Sequence, residues 1–378
     1  MKALPFAPQA RAMTTLTPDL VTQALRTVND PELHKDLVTL EMVKGITVDG
    51  NAVTVGIELT TPACPMKDRI RNDVTAAIAA KAASIGASTP VVTVDFTADV
   101  RRPNQKIREG GNPLPMVKQV IAVGAGKGGV GKSTISVNLA VALARMGAKV
   151  GLLDGDIYGP SLPTLLGLDE LGATARGNIL MPFEVHGIKA MTIGKLVDPE
   201  KALVWRGPMA HGAFKQLATQ TDWGALDYLI IDLPPGTGDV PLTLAQLLPV
   251  TGAVVVCTPQ RVAQDDARRA VRMFEGLGID VLGVVENMSY FVGDDGKEYD
   301  LFGRGGAEMM AQQMGLPFLG SMPIHMALRK NSDAGTPLAN WDVPAMGRQL
   351  DAIAQALAGQ ISVASLRGQF VQPTISVR

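Results

Sequence analysis

A glycine-rich segment that ends in lysine and serine has the composition of a loop that binds phosphate groups. Residues 126–133 read Gly-Lys-Gly-Gly-Val-Gly-Lys-Ser, follow a short apolar run and precede a segment with helical periodicity. In such a loop the glycines let backbone N–H groups point at phosphate oxygens, and the helix N-terminus adds partial positive charge. The spacing therefore predicts a nucleotide site. The alternative is a glycine-rich turn that binds nothing.

Several residue types in this segment have predicted roles. Lys132 is expected to contact the outer phosphates, and the Ser133 hydroxyl is expected to bind Mg²⁺. We therefore predict that Lys132 takes part in catalysis. The nucleotide-binding residues predicted from this loop are Gly126, Lys127, Gly128, Gly129, Val130, Gly131, Lys132, Ser133 and Thr134.

Acidic residues follow two apolar runs that have the composition of buried strands. Asp232 ends the run 228–231, and this pattern predicts a Walker B carboxylate close to Mg²⁺. Asp154 and Asp156 follow the run 150–153, where both side chains can point into the same crevice. Asp154 is thus a further predicted metal ligand, with an acidic turn as the alternative. The turn 234–239, Pro-Pro-Gly-Thr-Gly-Asp, is predicted to respond to the terminal phosphate.

Composition restricts the classes of protein to which the chain can belong. Its 378 residues allow two or three domains, and 35 Lys+Arg against 36 Asp+Glu leave a formal net charge of -1. Because there is no global positive field, we expect neither nucleic acid nor a membrane as a partner. No apolar stretch approaches the length of a membrane span, and Cys64 and Cys257 are the only cysteines. These features favour a soluble cytoplasmic protein in a reducing compartment.

Hydrophobic periodicity divides the chain into two folded parts. We predict a small α+β domain over residues 1–98, a linker over 99–118, a P-loop domain over 119–361 and a C-terminal tail over 362–378. The larger domain alternates short apolar runs with longer amphipathic segments, which favours an α/β fold with a doubly wound, mostly parallel sheet. Its predicted strands are 120–123, 150–153, 228–231, 253–257, 281–285 and 318–322, and its predicted last helix is 345–358.

Several motifs occur together and in the same order as in one known family. They are Lys127–Ser133, Asp156–Ser161, Asp232–Asp239, Glu286–Ser289 and Phe302–Gly306. With them, the chain resembles the Mrp/ApbC family of iron-sulfur cluster carrier ATPases, which belongs with MinD and ParA to the deviant Walker A group. Segments 25–32 and 59–65 resemble the small iron-sulfur assembly domain that is often fused to the front of these proteins.

The resemblance implies a reaction, a set of cofactors and a set of partners. It implies a homodimer that binds and hydrolyses ATP with Mg²⁺ and transfers clusters to client apoproteins or works with assembly factors. Lys127 would reach the partner subunit's nucleotide and act as an arginine finger does. Asp156 would orient or activate water, Asp232 would act on Mg²⁺ through water, and Asn287 would contact adenine.

The chain departs from this family at the residues that would hold a [4Fe-4S] cluster. Most members carry C-x-x-C shortly after the Glu-Asn-Met-Ser segment, but Gly293 and Gly296 stand at the corresponding positions here. Iron-sulfide favours thiolate ligands, and neither glycine offers a side-chain ligand. Cys64 lies in a proline-rich loop before a helix, so it is a candidate iron-sulfur contact, with a structural role as the alternative. Cys257 ends an apolar strand and is interpreted as a small buried hydrophobic residue.

Three functions are compatible with these patterns. The first is an ATP-hydrolysing carrier that transfers iron-sulfur clusters to apoproteins. The second is an ATP-switched adaptor in iron-sulfur maturation that carries no cluster itself. The third is a positioning ATPase like MinD or ParA, but the predicted tail lacks the amphipathic period or basic cluster that such proteins need.

Overall fold

A computed structural model describes residues 15–102, 111–196, 207–236, 238–293 and 296–367 of the chain. Contacts between residues define two units. The first ends at Asp99 and leaves out Thr61–Pro65, which group with the second unit. The second unit contains the predicted phosphate loop and both acidic strand ends, and therefore holds the candidate site.

The first unit is a three-stranded sheet with two helices. Its elements are α1 (Pro18–Leu25), β1 (Val43–Asp49), β2 (Ala52–Leu59), α2 (Lys67–Ser84) and β3 (Val91–Ala98). β1 and β2 form an antiparallel hairpin, and β3 runs parallel to β2. α1 begins where it does because Thr17 accepts a hydrogen bond from the Leu20 N–H and Pro18 occupies the first turn.

Among the described residues, the second unit contains a nine-stranded sheet and a separate two-stranded hairpin. Its strands are β4 (Val117–Gly124), β5 (Val150–Asp154), β6 (Thr174–Arg176), β7 (Ile179–Met181), β8 (Phe183–Val185), β9 (Ile188–Met191), β10 (Leu226–Asp232), β11 (Gly252–Cys257), β12 (Val281–Val292), β13 (Glu298–Tyr299) and β14 (Phe318–Ile324). Its α-helices are α3 (Lys132–Arg145), α4 (Leu162–Leu165), α5 (Gly207–Thr219), α6 (Asp239–Leu247), α7 (Arg261–Gly276), α8 (Gly306–Gln313), α9 (Met326–Asp333) and α10 (Pro344–Arg367).

The order of strands in the large sheet brings the strands of the candidate site together. From one edge the order is β13-β12-β11-β4-β10-β5-β9-β8, with β14 beside β12. β10 lies between β4 and β5 and is parallel to both. β8 and β13, at the two ends of this order, are antiparallel to their neighbours. The predicted α/β fold with a mostly parallel sheet is therefore confirmed.

Two apolar cores cover the two faces of this sheet. Alternate residues of β4 belong to different cores: Ile121 and Val123 to one, Val120 and Ala122 to the other. Since successive strand residues point to opposite faces, the cores lie on opposite sides. Residues of α3 and α10 fill the first core, and residues of α5 to α8 fill the second. A sheet buried on both faces explains why its central strands are continuous apolar runs.

The six predicted strands of the larger domain correspond to β4, β5, β10, β11, β12 and β14. The strands in the segment from Phe183 to Met191 were not predicted. It forms β8 and β9, which extend the sheet next to β5. These strands are short, and Lys189 interrupts the apolar pattern of β9. The Lys189 ammonium donates a hydrogen bond to the Trp223 carbonyl at 3.1 Å, so a charged residue is accommodated there.

The last helix is longer than its predicted span of 345–358, because α10 continues to Arg367. Within this extension the Ser362 and Ser365 hydroxyls donate hydrogen bonds to the Ala358 and Ile361 carbonyls, four residues earlier in each case. The predicted start of the tail at residue 362 thus falls inside the helix, and residues beyond 367 lie outside the described part. In the described part of the chain, no helix combines the length and apolar character that crossing a membrane requires.

Candidate functional site

The predicted phosphate loop connects β4 to α3 and depends on its glycines. Gly129 and Gly131 have φ values of 78° and 80°, a left-handed conformation that glycine adopts without steric penalty. Space is also restricted, because a Cβ atom on Gly131 would lie 2.1 Å from Nδ2 of Asn287. A Cβ atom on Gly126 would lie equally close to the backbone of Asp266 in α7. Larger side chains at these positions would displace the loop.

Asn287 contacts the phosphate loop although it follows Val130 by 157 positions in the sequence. Its Nδ2 atom donates a hydrogen bond to the Val130 carbonyl at 2.8 Å, and the side chain is buried. This amide therefore supports the backbone of the loop directly. Its predicted contact with adenine stays a prediction.

A buried ion pair joins the two strongest sequence motifs. The Lys132 ammonium lies 2.7 Å from Oδ1 of Asp232, and the two side chains are 7% and 0% exposed. Lys132 also donates a hydrogen bond to the Ser133 hydroxyl at 3.1 Å. The predicted phosphate-binding lysine, the predicted metal-binding hydroxyl and the predicted Walker B carboxylate thus form one cluster.

Ser136 belongs to the same cluster and was not predicted from the sequence. Its hydroxyl lies 2.6 Å from Oδ1 of Asp232 and 3.1 Å from the Lys132 carbonyl, and its side chain is completely buried. The signal that could have identified it is helical spacing, since Ser136 follows Lys132 by four residues and so lies on the same side of α3.

The donor atoms of this cluster fit Mg²⁺. Oδ2 of Asp232 is buried and accepts no hydrogen bond from the described residues, so one carboxylate oxygen remains for a further partner. The Ser133 hydroxyl lies beside the same ammonium. Carboxylate and hydroxyl oxygens are the hard ligands that Mg²⁺ prefers, often with water completing its shell. The residues that would hold the ion are therefore Ser133 and Asp232.

Asp154 has a different environment from the one predicted. Its oxygens accept hydrogen bonds from the N–H groups of Asp156 and Leu162 and from the Thr192 hydroxyl, at 3.1, 3.4 and 3.0 Å. Burial, and secondly the negative charge of Asp232, raise the pKa of Asp154 to about 7. Asp154 thus organises the loop that follows β5. Direct binding of metal by Asp154 stays a prediction.

Asp156 borders a cavity of about 550 Å³. One carboxylate oxygen of Asp156 accepts a hydrogen bond from the Gly159 N–H at 3.1 Å. The cavity is also lined by Pro235 of the predicted switch turn and by His211 and Thr243, which are hydrogen-bonded to each other at 2.6 Å. A carboxylate beside such a space can position a water molecule, and the predicted role of Asp156 in orienting water stays a prediction.

The switch turn is attached to the phosphate loop. The Gly236 N–H donates a hydrogen bond to the Ala125 carbonyl at 2.9 Å, and the Leu233 N–H donates one to the Val123 carbonyl at 3.0 Å. Thr237 and the Asp239 side chain, which complete the predicted turn, lie outside the described part. These two bonds join the start of the turn to the residues that lead into the phosphate loop, so a shift of the loop would also displace the turn.

Lys127 is half-buried and forms no hydrogen bond or ion pair with the described residues.

The positive charge of Lys127 lowers the pKa of the Cys257 thiol, but burial and the neighbouring Glu286 carboxylate outweigh this effect and raise that pKa to about 12. Cys257 is 1% exposed, so its interpretation as a small buried hydrophobic residue is confirmed.

Gly293 and Gly296, which stand in place of the family's cysteine pair, are joined by backbone hydrogen bonds. The Gly293 N–H donates to the Lys297 carbonyl and the Gly296 N–H donates to the Gly293 carbonyl, both at 2.9 Å. Gly296 has a left-handed φ of 75°. Cys64 is half-buried. Among the described residues no group of three or more His, Cys, Asp and Glu side chains is arranged to hold a metal ion.

Glu286 connects two motifs that the sequence shows only as separate segments. Its buried carboxylate accepts hydrogen bonds from the Ser289 hydroxyl at 2.6 Å, the Gly305 N–H at 2.9 Å and the Ala307 N–H at 2.8 Å. The last two groups lie at the N-terminus of α8, where a negative charge is favourable. Glu286 therefore fixes the start of α8 to the strand that carries Asn287.

Two family models match the chain. Residues 116–358 match the model of the NUBPL iron-transfer P-loop NTPases. Residues 18–88 match a model described as iron-sulfur cluster assembly protein. The first match falls in the second unit, and the second match falls in the first unit except for residues 61–65.

Curated relatives cover nearly the whole chain. An iron-sulfur cluster carrier protein of Synechocystis is 46% identical over 358 residues, which are 93% of this chain and 99% of the relative. A protein of the same description from Deinococcus radiodurans is 49% identical over 92% of this chain and 97% of its own. Among solved structures, a nucleotide-binding protein of Archaeoglobus fulgidus in complex with ADP is 41% identical, with a TM-score of 0.53 over 60% of this chain and 89% of that one.

Proposed function

Because the chain belongs to the family of NUBPL iron-transfer P-loop NTPases, we propose that it binds and hydrolyses ATP and transfers iron-sulfur clusters to apoproteins. The observation that carries this proposal is the group of buried side chains beneath the phosphate loop, in which Lys132 contacts Asp232 and Ser133. A loop lysine, a hydroxyl and a strand-end carboxylate are the groups that phosphoryl transfer requires close together. The ADP bound by the Archaeoglobus fulgidus protein supports a nucleotide as the ligand.

In the proposed reaction, the N–H groups of the phosphate loop and the Lys132 ammonium bind the phosphates of ATP. We propose that Lys132 moves away from Asp232, 2.7 Å away in this structure, when its ammonium contacts the outer phosphates. Ser133 and Asp232 would hold Mg²⁺, which neutralises phosphate charge when it is bound. Asp156 orients the attacking water, and Asn287 contacts adenine.

We further propose that the chain acts as a homodimer, in which Lys127 reaches the partner subunit's nucleotide. The lack of a hydrogen bond or ion pair between Lys127 and the described residues supports this role, because the ammonium does not first have to be released. A second positive charge at the transferred phosphate would stabilise the transition state. The proposed partners beyond the dimer are client apoproteins or assembly factors in the cytoplasm.

In this proposal the iron-sulfur cluster is the cargo. The residues available to bind it differ from those of most relatives. The turn at Gly293 and Gly296 offers no thiolate, whereas Cys64 supplies one thiol per subunit. Two subunits could together hold a labile [4Fe-4S] cluster with help from a client. The same turn favours a second candidate function, an ATP-switched adaptor that carries no cluster and docks clients through the domain proposed for residues 1–98.

Hydrolysis by the purified protein tests the ATPase. Wild type and Asp156→Ala are compared in a phosphate-release assay with Mg²⁺, and the exposed Asp169→Ala serves as the control. We expect Asp156→Ala to bind ATP normally but to hydrolyse it about a hundredfold more slowly, as for loss of a catalytic acid or base. Equal rates for wild type and Asp156→Ala would favour the adaptor.

Reconstitution with iron and sulfide under anaerobic conditions tests the cargo. Wild type, Cys64→Ala and Cys257→Ala are compared by visible absorbance, iron content and transfer to an apo-ferredoxin. A carrier that uses Cys64 binds and transfers a cluster as wild type and as Cys257→Ala, but not as Cys64→Ala. The absence of any bound or transferred cluster in all three proteins would favour the adaptor.

A further inference from the structure

One oxygen of Asp232 has two partners and the other has none. Oδ1 lies 2.7 Å from the Lys132 ammonium and 2.6 Å from the Ser136 hydroxyl. Oδ2 is buried without a hydrogen bond from the described residues. All three side chains are buried.

In the proposed reaction, binding of nucleotide changes this arrangement. When Lys132 moves to the phosphates, Asp232 loses its only ion-pair partner among the described residues. A buried carboxylate without compensation is strongly unfavourable, and the nearby Asp154 carboxylate adds repulsion. Asp232 must nevertheless stay correctly oriented to act on Mg²⁺. A second donor that stays in place would meet this need.

We propose that Ser136 is a positioning residue that holds Oδ1 of Asp232 after Lys132 has moved to the nucleotide, so that Oδ2 stays directed at the hydrated Mg²⁺. This inference rests on the proposed function, since it concerns the Mg²⁺–ATP state of the same site. Ser136 acts through Asp232 and touches neither nucleotide nor metal.

The position of Ser136 suits this role. It lies one turn along α3 from Lys132, so a change in the Lys132 side chain leaves the Ser136 backbone in place. Its hydroxyl has two acceptors, but the carboxylate at 2.6 Å is closer than the Lys132 carbonyl at 3.1 Å. A hydrogen bond to a charged acceptor is also the stronger of the two. The short side chain has a single torsion to order, which keeps the entropic penalty small.

Nucleotide affinity with and without Mg²⁺ tests the proposal. ATP binding to wild type and Ser136→Ala is measured by calorimetry, once in EDTA and once across a Mg²⁺ titration. We expect Ser136→Ala to bind Mg²⁺-free ATP within about twofold of wild type, and to need about tenfold more Mg²⁺ for half-maximal tightening, the loss typical of a hydrogen bond to a charged group.

Matched variants separate positioning from packing. Ser362→Ala removes another buried helical hydroxyl that donates to a carbonyl four residues earlier, and it should leave the Mg²⁺ response unchanged. Ser136→Thr keeps the hydroxyl and should recover most of the response. If Ser136→Ala does not fold, Ser136→Cys preserves the volume with a weaker donor and should show the same increase in the Mg²⁺ requirement.

Two results would overturn the proposal. The first is an unchanged Mg²⁺ requirement in Ser136→Ala or Ser136→Cys. The second is an equal loss of affinity with and without Mg²⁺, which would indicate a packing role. Both are distinct from failure of the proposed function, in which wild type itself would bind no ATP.

Discussion

The side-chain amide of Asn287 donates a hydrogen bond to the Val130 carbonyl at 2.8 Å and fills the space next to Gly131. This contact ties the middle of β12 to the loop that precedes α3. The backbone of the phosphate loop is therefore supported by a residue that lies 157 positions further along the chain.

Replacing Asn287 with Ala is expected to weaken ATP binding about tenfold, because a buried carbonyl loses its donor and the loop loses support. Fluorescent ATP and GTP analogues measure the effect. If Asn287 also contacts adenine, the loss is larger for ATP than for GTP. Equal losses would confine Asn287 to supporting the loop, and an unchanged affinity would contradict both roles.

The two lysines of the phosphate loop are expected to behave differently. Lys132→Ala should abolish ATP binding, because it removes the ammonium that contacts the outer phosphates. Lys127→Ala should bind ATP but hydrolyse it about a thousandfold more slowly, as when an arginine finger is lost. Equilibrium binding and single-turnover hydrolysis separate these effects. Equal loss of binding in both variants would show that Lys127 is a phosphate ligand within its own subunit.

The raised pKa of Asp154 predicts a specific dependence of stability on pH. Its pKa is raised to about 7 in the folded protein, mainly by burial, so between pH 4 and 7 the folded state binds a proton that the unfolded state has released. The free energy of unfolding should therefore fall as pH rises through this window and level off above about pH 7. Urea unfolding without nucleotide measures this slope.

Asp154→Asn is the matched variant for this slope, because Asn cannot take up the proton. Burial also raises the pKa of Glu32, and this contribution is common to both proteins. The difference between wild type and Asp154→Asn therefore isolates Asp154. Parallel pH profiles for the two proteins would show that Asp154 does not titrate in this window.

Glu286→Gln is expected to loosen the start of α8, because the neutral amide accepts hydrogen bonds from Gly305 and Ala307 less strongly than the carboxylate does. Hydrogen exchange should become about tenfold faster at these two amides. Glu298→Gln, which removes an exposed partner of Arg304, is the control and should leave them protected. Unchanged exchange in Glu286→Gln would mean that packing alone holds α8.

The parts of the site that the sequence revealed are those encoded by short continuous motifs. The phosphate loop and Asp232 were recognisable because glycine spacing and an apolar run that ends in a carboxylate are local patterns. The family suggested by these motifs is confirmed by relatives that align over more than nine-tenths of the chain. The central strands were predictable for a similar reason, since burial on both faces makes each one a continuous apolar run.

The remaining features depend on contacts between distant segments. Ser136 meets Asp232 across 96 positions, and Asp154 meets Thr192 across 38, so neither contact can be read from a continuous motif. Helical spacing from Lys132 marks the side of α3 on which Ser136 lies, but it does not identify Asp232 as its partner. Glu286 was visible as part of a motif, but its role required knowing where α8 begins. The end of α10 was missed because its serines resemble a polar tail, whereas their hydroxyls bond to helix carbonyls.

The ion pair between Lys132 and Asp232 has a consequence for a protein that handles iron. A ferrous ion is a divalent cation that would otherwise be attracted to a buried carboxylate beside a hydroxyl. In the resting chain the ammonium, 2.7 Å away, repels any such ion and cancels the charge that would capture it. In the proposed reaction, a cation would therefore reach Asp232 only after the phosphates of ATP have drawn Lys132 aside.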